Sequence, residues 1–184
     1  GTTFSGTLSG DNGGSNFASG GKYGQYWIGS GTTHVYGTST NIRPSGSHRL
    51  TFWYKSNTTS QDNKRVLTVK GSNLAAGWNN YNSSMGFYTG TGNSSVGTVA
   101  SVTRVAQIPD AAINDNSWHH LAYTISATNT WSIYLDGSVY SGAVSGEARS
   151  FNSGSYFSLT TYDGGDGYNT IAGIDQVRLF SRVL

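Results

Sequence analysis

The sequence predicts an all-β fold, either a sandwich or a barrel. Short runs rich in β-branched and aromatic residues recur along the chain, and Gly, Ser, Asn and Asp separate them. Charged residues make up only 11% of the 184 residues, while 26 residues are glycine, which favours short strands joined by many turns. The apolar fraction of 35%, with 12 Tyr and 5 Trp, is sufficient for a packed core. We expect a single domain over residues 1–184.

The strand predictions follow from composition and from the turn residues between the runs. Helix is predicted at most as a turn near residues 109–115, and residues 9–21 are predicted to form a loop. No repeat and no linker divides the chain. The predicted strands cover residues 22–28, 48–56, 64–71, 85–90, 97–108, 118–126, 130–137, 155–161 and 171–182.

The segment SWHHLAYTISATNTWSIYLDGSVYSG, residues 117–142, is predicted to be a hairpin and not a metal or catalytic site. Successive side chains of a strand point to opposite faces, so His119 and His120 cannot bind one ion together. A metal pair on a strand needs ligands two residues apart, and neither histidine has a His, Asp or Glu at that distance. We expect one inward, hydrogen-bonded histidine and one histidine near the rim. Asp136 and Gly137 supply the left-handed backbone of a tight turn, so this segment is interpreted as scaffold.

Composition excludes several classes of function. The chain has no cysteine, which rules out disulfides and thiolate metal sites. Its net charge of +2 comes from scattered Lys and Arg without a basic run, so nucleic acid is not an expected partner. No apolar run approaches the roughly 20 residues that span a bilayer, so we expect no membrane insertion.

The C-terminal part of the chain resembles a known family. Residues 117–142 contain Trp-His-His, an apolar strand and Tyr-Leu-Asp-Gly, and the chain closes with IAGIDQVRLFSRVL at 171–184. This pattern resembles the laminin-G-like, concanavalin A-like lectin/glucanase superfamily, and residues 50–56 resemble an early aromatic strand of that family. The resemblance implies a jelly-roll sandwich of two antiparallel sheets, with carbohydrate or protein ligands at edge loops and calcium in many members. The predicted strand spacing fits two stacked sheets.

A glycan-cleaving enzyme of the same fold is not favoured. Glycoside hydrolysis usually needs two carboxylates about 5–9.5 Å apart, which jelly-roll glucanases typically place at alternate positions of one strand. The chain has a single glutamate, Glu147, and no acidic pair with that spacing. Its closest acids, Asp163 and Asp166, lie in a glycine-rich segment. We therefore expect no catalytic residues and no enzymatic activity.

Two segments combine aromatic rings with Asn side chains. Aromatic rings stack on the C–H face of a sugar while polar groups bind its hydroxyls. The segments GWNNYNSS, residues 77–84, and TYDGGDGYN, residues 161–169, are therefore predicted as ligand-binding loops. The alternative is that the aromatics cover the edge of the sandwich and the polar residues form turns. The candidate ligand-binding residues are Trp78, Asn80, Tyr81, Tyr162, Tyr168 and Asn169.

Calcium is the one cofactor that the sequence suggests. Asp163 and Asp166 lie among glycines whose carbonyls, with the carboxylates, can supply hard oxygen ligands. The spacing of an EF-hand is missing. Asp175 matches the aspartate of the family's closing strand, and we expect it to accept hydrogen bonds from a neighbouring loop.

These observations predict a non-catalytic, lectin-like or adhesion module of an extracellular protein, a cell surface or a virion surface. The expected partner is a glycan or surface polysaccharide, together with other copies of the chain or a larger surface assembly. One alternative is a structural decoration or fibre domain without a glycan ligand, and another is a glycan-cleaving enzyme of the same fold.

Overall fold

A computed structural model of the chain has fourteen strands and one short 3-10 turn in the part that it describes. The structure describes residues 7–9, 17–30, 34–38, 47–58, 64–71, 74–80, 84–91, 102–126, 130–145, 154–159, 171–180 and 182. The strands are β1 Thr7–Ser9, β2 Phe17–Gly21, β3 Gly24–Ser30, β4 His34–Thr38, β5 His48–Lys55, β6 Lys64–Gly71, β7 Leu74–Asn80, β8 Ser84–Thr91, β9 Val102–Pro109, β10 His119–Ile125, β11 Thr130–Leu135, β12 Ser138–Ser145, β13 Gly154–Leu159 and β14 Ile171–Phe180, and the 3-10 turn is Asp110–Ala112.

The strands form two antiparallel sheets of seven strands each within the described residues. The first sheet has the order β1-β4-β13-β6-β7-β8-β9, and the second has the order β12-β11-β10-β5-β14-β3-β2. In the second sheet β5 lies between β10 and β14, which come much later in the chain. Long-range pairing therefore sets which side chains share a face. In the described part of the chain, no helix has the length and apolar character needed to cross a membrane.

The hydrophobic core lies between the two sheets. On β5, the side chains of Leu50, Phe52 and Tyr54 are fully buried, and Leu67 of the first sheet belongs to the same cluster. Ile113, which follows the 3-10 turn, is also fully buried in this cluster. Each such side chain contributes about 1.5–3 kcal/mol when it leaves water completely. The predicted all-β sandwich of two antiparallel sheets is thus confirmed.

The hairpin predicted at residues 117–142 is also confirmed. β10 and β11 pair antiparallel with Leu121 opposite Leu135. Asp136 has a φ of 51° and Gly137 a φ of 84°, so both residues of the turn adopt the left-handed backbone that the Asp-Gly step favours.

Two predicted loops are corrected by the structure. Trp78 and Asn80 were expected in a loop over 77–84, but both lie on β7, which pairs with β6 on one side and β8 on the other. Residues 17–21, expected within a loop, form β2 and pair with β3. Backbone pairing with an adjacent strand outweighs the weak strand propensity of Gly and Asn, which is why composition missed both strands.

Candidate functional site

A groove lies on the outer face of the second sheet, the face turned away from the core. Side chains alternate along a strand, so Thr51 and Trp53 point outward while their neighbours on β5 fill the core. The register places His120 opposite Trp53 on one side and Asp175 opposite it on the other. The groove has a volume of about 420 Å³. It is lined by Tyr23, Thr51, Trp53, His120, Asp136, Gly137, Gln176 and Arg178.

Trp53 forms the aromatic floor of this groove. The ring of His120 packs against it with centroids 5.1 Å apart and planes tilted by 57°. The ring of Tyr23 meets it edge-on, with a centroid distance of 6.3 Å. The Lys22 Nζ atom lies 4.5 Å from the centre of the Trp53 ring, which is cation–π geometry. The groove therefore combines flat apolar surface with hydrogen-bonding groups.

The turn between β2 and β3 is held over this face by Asp175. The Tyr23 backbone N–H donates to Asp175 Oδ2 at 3.0 Å, and only 5% of Asp175 is exposed. Gly21 approaches the same carboxylate so closely that an added Cβ would lie 2.9 Å from Asp175 Oδ2. Residues larger than glycine are therefore excluded unless the turn shifts. This confirms the prediction that Asp175 accepts a hydrogen bond from a neighbouring loop, and it fixes Tyr23 in the groove.

A β-bulge on β14 brings Arg178 to the groove. Asp175 pairs with Trp53 and Arg178 pairs with Thr51, so β14 contains one residue more than β5 between these positions. Gln176, inside the bulge, has a φ of 50°, which is unusual for a residue with a side chain. The bulge directs Val177 against the core and Arg178 into the groove. The Arg178 Nη2 donates to Gln176 Oε1 at 2.7 Å, which orients the guanidinium.

His119 points to the opposite face from His120 and connects two carboxylates. Its Nδ1 lies 2.8 Å from Asp136 Oδ2, and its Nε2 lies 3.1 Å from Asp115 Oδ1. Only the doubly protonated ring can donate to both at once. Burial disfavours that charged form, but the hydrogen bonds and charges of Asp136 and Asp115 outweigh burial and raise the pKa of His119 above its usual value. The prediction of one inward, hydrogen-bonded histidine is confirmed.

Asp136 also fixes the rim of the groove. Its Oδ1 accepts the His120 backbone N–H at 2.8 Å, and its own N–H donates to the His120 carbonyl oxygen at 2.8 Å. The His120 ring lies in the groove, where burial lowers its pKa; attraction by Asp136 opposes that shift and the positive charges of Arg49 and Arg178 reinforce it. The turn of this hairpin, which is interpreted from the sequence as scaffold, also lines the groove.

Asp136, which lines the groove, and Asp175, which lies beneath the β2–β3 turn, both hold the backbone in place. Asp175 binds the β2–β3 turn and Asp136 binds the start of β10 and the His119 ring. Among the residues that the structure describes, no group of three or more His, Cys, Asp or Glu is placed to hold a metal ion. The described site therefore offers stacking surface, hydrogen-bond donors and positive charge.

Two of the sequence-predicted ligand residues lie on the other sheet. Trp78 and Asn80 lie on β7 in the first sheet, across the core from the outer face of the second sheet. The remaining predicted positions lie outside the described residues, so their ligand-binding and calcium-binding roles stay predictions. These positions are Tyr81, Tyr162, Tyr168 and Asn169 for the ligand and Asp163 and Asp166 for calcium.

Sequence reasoning missed Trp53, Tyr23 and Arg178 as site residues. A signal for Arg178 was present, because the apolar residues Ile174, Val177 and Leu179 are spaced by three and then by two. That change of spacing within one strand is typical of a bulge. Trp53 gave no comparable signal, because alternation alone does not tell which face of a strand is covered.

The architecture defines a class, the all-β sandwich of two antiparallel sheets, here with a groove on the outer face of the second sheet. A family model of laminin G type, described as the concanavalin A-like lectin/glucanases superfamily, matches residues 29–184. The chain therefore belongs to that superfamily, as the sequence resemblance implied. A search of curated protein sequences found no match.

Solved structures with the same fold include binding domains of larger proteins. Domain 4 of AbnA, an extracellular arabinanase from Geobacillus stearothermophilus solved with arabinotriose, has a TM-score of 0.68 and 18% identity, covering 95% of this chain and 81% of that one. The botulinum neurotoxin serotype D binding domain has a TM-score of 0.70 and 13% identity, and the alignment covers 98% of this chain and 44% of that one. The binding domain of Paraclostridial Mosquitocidal Protein 1 has a TM-score of 0.68 and 12% identity, and the alignment covers 98% of this chain and 45% of that one. At these identities the likeness is one of fold, and this chain spans less than half of the two toxin domains.

Proposed function

We propose that this chain is a non-catalytic carbohydrate-binding module that holds its glycan in the groove on the second sheet. The observation that carries the proposal is the Trp53 ring at the floor of an open groove with polar groups at its margins. A pyranose presents a C–H face that stacks on an aromatic ring, and its hydroxyls need hydrogen-bond partners at the periphery. Gln176, His120 and Thr51 are such partners.

The non-catalytic part of the proposal depends on how the carboxylates of Asp136 and Asp175 are engaged. Glycoside hydrolysis requires one carboxyl group as acid and a second as base or nucleophile, both directed at the bond that breaks. Asp175 is buried beneath the β2–β3 turn, and Asp136 is engaged by both histidines of β10. Both Asp136 oxygens thus accept hydrogen bonds from β10, and Asp175 is buried, so we infer that the groove is suited to recognition.

The relatives support the same class of function and an extracellular setting. The arabinanase domain was solved with a trisaccharide, and the toxin domains are described as binding domains. A shallow groove with one aromatic floor gives affinities on the order of micromolar to millimolar, so display in several copies would strengthen attachment to a polysaccharide surface.

A glycan array followed by calorimetry tests the proposal. Wild-type protein is expected to bind at least one glycan class, and Trp53→Ala is expected to weaken that binding about tenfold because the stacking surface is lost. Phe17→Ala is the matched control. Phe17 is 49% exposed and contacts Trp27, a core residue, so it lies on the other face of the same sheet. Its removal should leave affinity within about twofold.

The array also separates the alternatives. A structural domain without a glycan ligand predicts that neither wild type nor any variant binds. Release of reducing ends or unsaturated products from the bound polysaccharide would contradict the non-catalytic assignment. Equal glycan affinity of wild type and Trp53→Ala would show that the glycan binds outside the groove.

A further inference from the structure

We propose that the groove selects an acidic saccharide, whose carboxylate pairs with the Arg178 guanidinium while its ring stacks on Trp53. This inference rests on the proposed carbohydrate-binding function and names the class of glycan for the same site. Its basis is the distribution of charge on the outer face of the second sheet.

Positive charge is concentrated around the aromatic floor. Among the basic residues whose side chains the structure describes, four lie on or over this one face. Arg49 and Lys55 flank the groove along β5, because they share the outward face with Trp53, and Arg178 enters from β14. Lys22 reaches over the Trp53 ring from the β2–β3 turn. Clustered charge of one sign in a cleft with apolar walls attracts ligands of the opposite sign.

Three of these four cations have no carboxylate partner among the described residues. Within the described part of the chain, no Asp or Glu forms an ion pair with Lys22, Arg49 or Arg178. Arg178 is oriented by the neutral amide oxygen of Gln176, and Arg49 stacks its guanidinium over the Phe180 ring at 4.4 Å. The neutral partner fixes the direction of the Arg178 fork and leaves its charge available to a ligand.

Among the described residues, two carboxylates lie on or beneath this face, and both accept hydrogen bonds from the protein. Asp136 accepts from the His119 ring, whose doubly protonated form balances its charge, and Asp175 accepts a backbone N–H beneath the turn. These contacts do not remove the two negative charges, but the four cations outnumber them, so the described part of this face keeps a net positive charge. A carboxylate is planar and matches the two parallel donors of a guanidinium better than a hydroxyl does.

Lys22 supplies a second reason to prefer an acidic sugar. Its ammonium lies over the Trp53 ring, where a stacked sugar would lie, so ligand binding displaces it. A neutral sugar would remove the cation–π contact and give Lys22 no ionic partner in return. A sugar with a carboxylate offers the displaced ammonium an ion pair, so the cost of displacement is offset only for acidic ligands.

The test measures affinity for a panel of oligosaccharides that contain hexuronate or sialate, each beside its own methyl ester, in low salt. Wild-type protein is expected to bind the free acids about tenfold more tightly than the esters. That ratio should shrink at high ionic strength, because an open groove is screened. Arg178→Gln and Lys22→Gln are each expected to lower the ratio, and the double variant to abolish it. Arg182→Gln is the control, because Arg182 is exposed beyond β14 and does not line the groove.

The outcomes separate this inference from the proposed function. Tight binding of neutral glycans, with acids and esters equal, would overturn the acidic preference and keep the carbohydrate-binding function. A preference for acids that persists in the double variant would equally overturn the role of these two cations. Binding of no saccharide by the wild type would overturn both proposals.

Discussion

Replacement of Asp175 by alanine tests how the groove is assembled. The Asp175 carboxylate is 5% exposed and accepts the Tyr23 backbone N–H at 3.0 Å. The Gly21 backbone packs directly on this carboxylate. Asp175 thus joins the β2–β3 turn to the centre of the second sheet, although it is far from Tyr23 in the sequence. Alanine removes the acceptor and leaves a partly buried N–H without a partner.

The expected magnitude follows from that contact. A hydrogen bond to a charged group contributes about 1.5–3 kcal/mol to the free energy of unfolding. Removal of a buried carboxylate also relieves its desolvation cost, which reduces the net loss to roughly 1–2 kcal/mol. For a domain of this length, that loss corresponds to a decrease in Tm of about 2–8 °C. Asp175→Asn keeps an oxygen acceptor, so we expect it to lose less than about 1 kcal/mol.

Urea unfolding of wild type, Asp175→Ala and Asp175→Asn measures these differences, with unchanged m-values as the sign of a common unfolding reaction. Hydrogen exchange of the Tyr23 amide gives a local readout, and we expect it to speed up in the alanine variant. Saccharide affinity should also fall, because the turn carries Tyr23 and Lys22 to the groove. An alanine variant with wild-type stability and an equally protected Tyr23 amide would refute this reasoning.

Two further predictions concern stability. His119→Gln is expected to cost about 1 kcal/mol at acidic pH, a value reduced because Asp115 and Asp136 are about half exposed. Since the pKa of His119 is raised in the folded state, the contribution of His119 to the free energy of unfolding is complete below about pH 6.5 and disappears as the pH rises through the folded-state pKa. Urea unfolding of wild type and His119→Gln across pH 5–9 measures this contribution. A stability difference that grows with pH would contradict the prediction. Tyr54→Phe removes the 2.9 Å hydrogen bond that the buried Tyr54 hydroxyl donates to Asn114 Oδ1. We expect this change to lower the free energy of unfolding by about 1–3 kcal/mol. Calorimetry measures the change in Tm, and an unchanged Tm would show that the hydrogen bond does not stabilise the fold.

The sequence predicted the parts of the fold that local patterns determine. The alternation of apolar and polar residues over 118–126 placed the His119 and His120 side chains on opposite faces, and the structure has them there. The Asp136-Gly137 step identified the tight turn because its backbone requirement is local. Asp175 was identified as a hydrogen-bond acceptor through the resemblance of the closing strand to that of the family.

Local sequence patterns could not predict which residues form the groove. Trp53, His120 and Arg178 come together because β5 pairs with β10 on one side and β14 on the other, and that strand order depends on long-range contacts. Aromatic and Asn-rich composition drew attention instead to residues 77–84, of which 77–80 belong to β7. Composition identifies residues able to bind a sugar, but only the strand order shows which of them share a surface.

A crystal structure of the protein with the tightest-binding glycan from the array would show directly whether the groove is the binding site. We expect a sugar ring stacked on Trp53, with Lys22 displaced from the ring and the sugar hydroxyls in contact with the groove margin. A sugar bound instead at residues 81–83 or 161–169, with Trp53 still covered by Lys22, would contradict it.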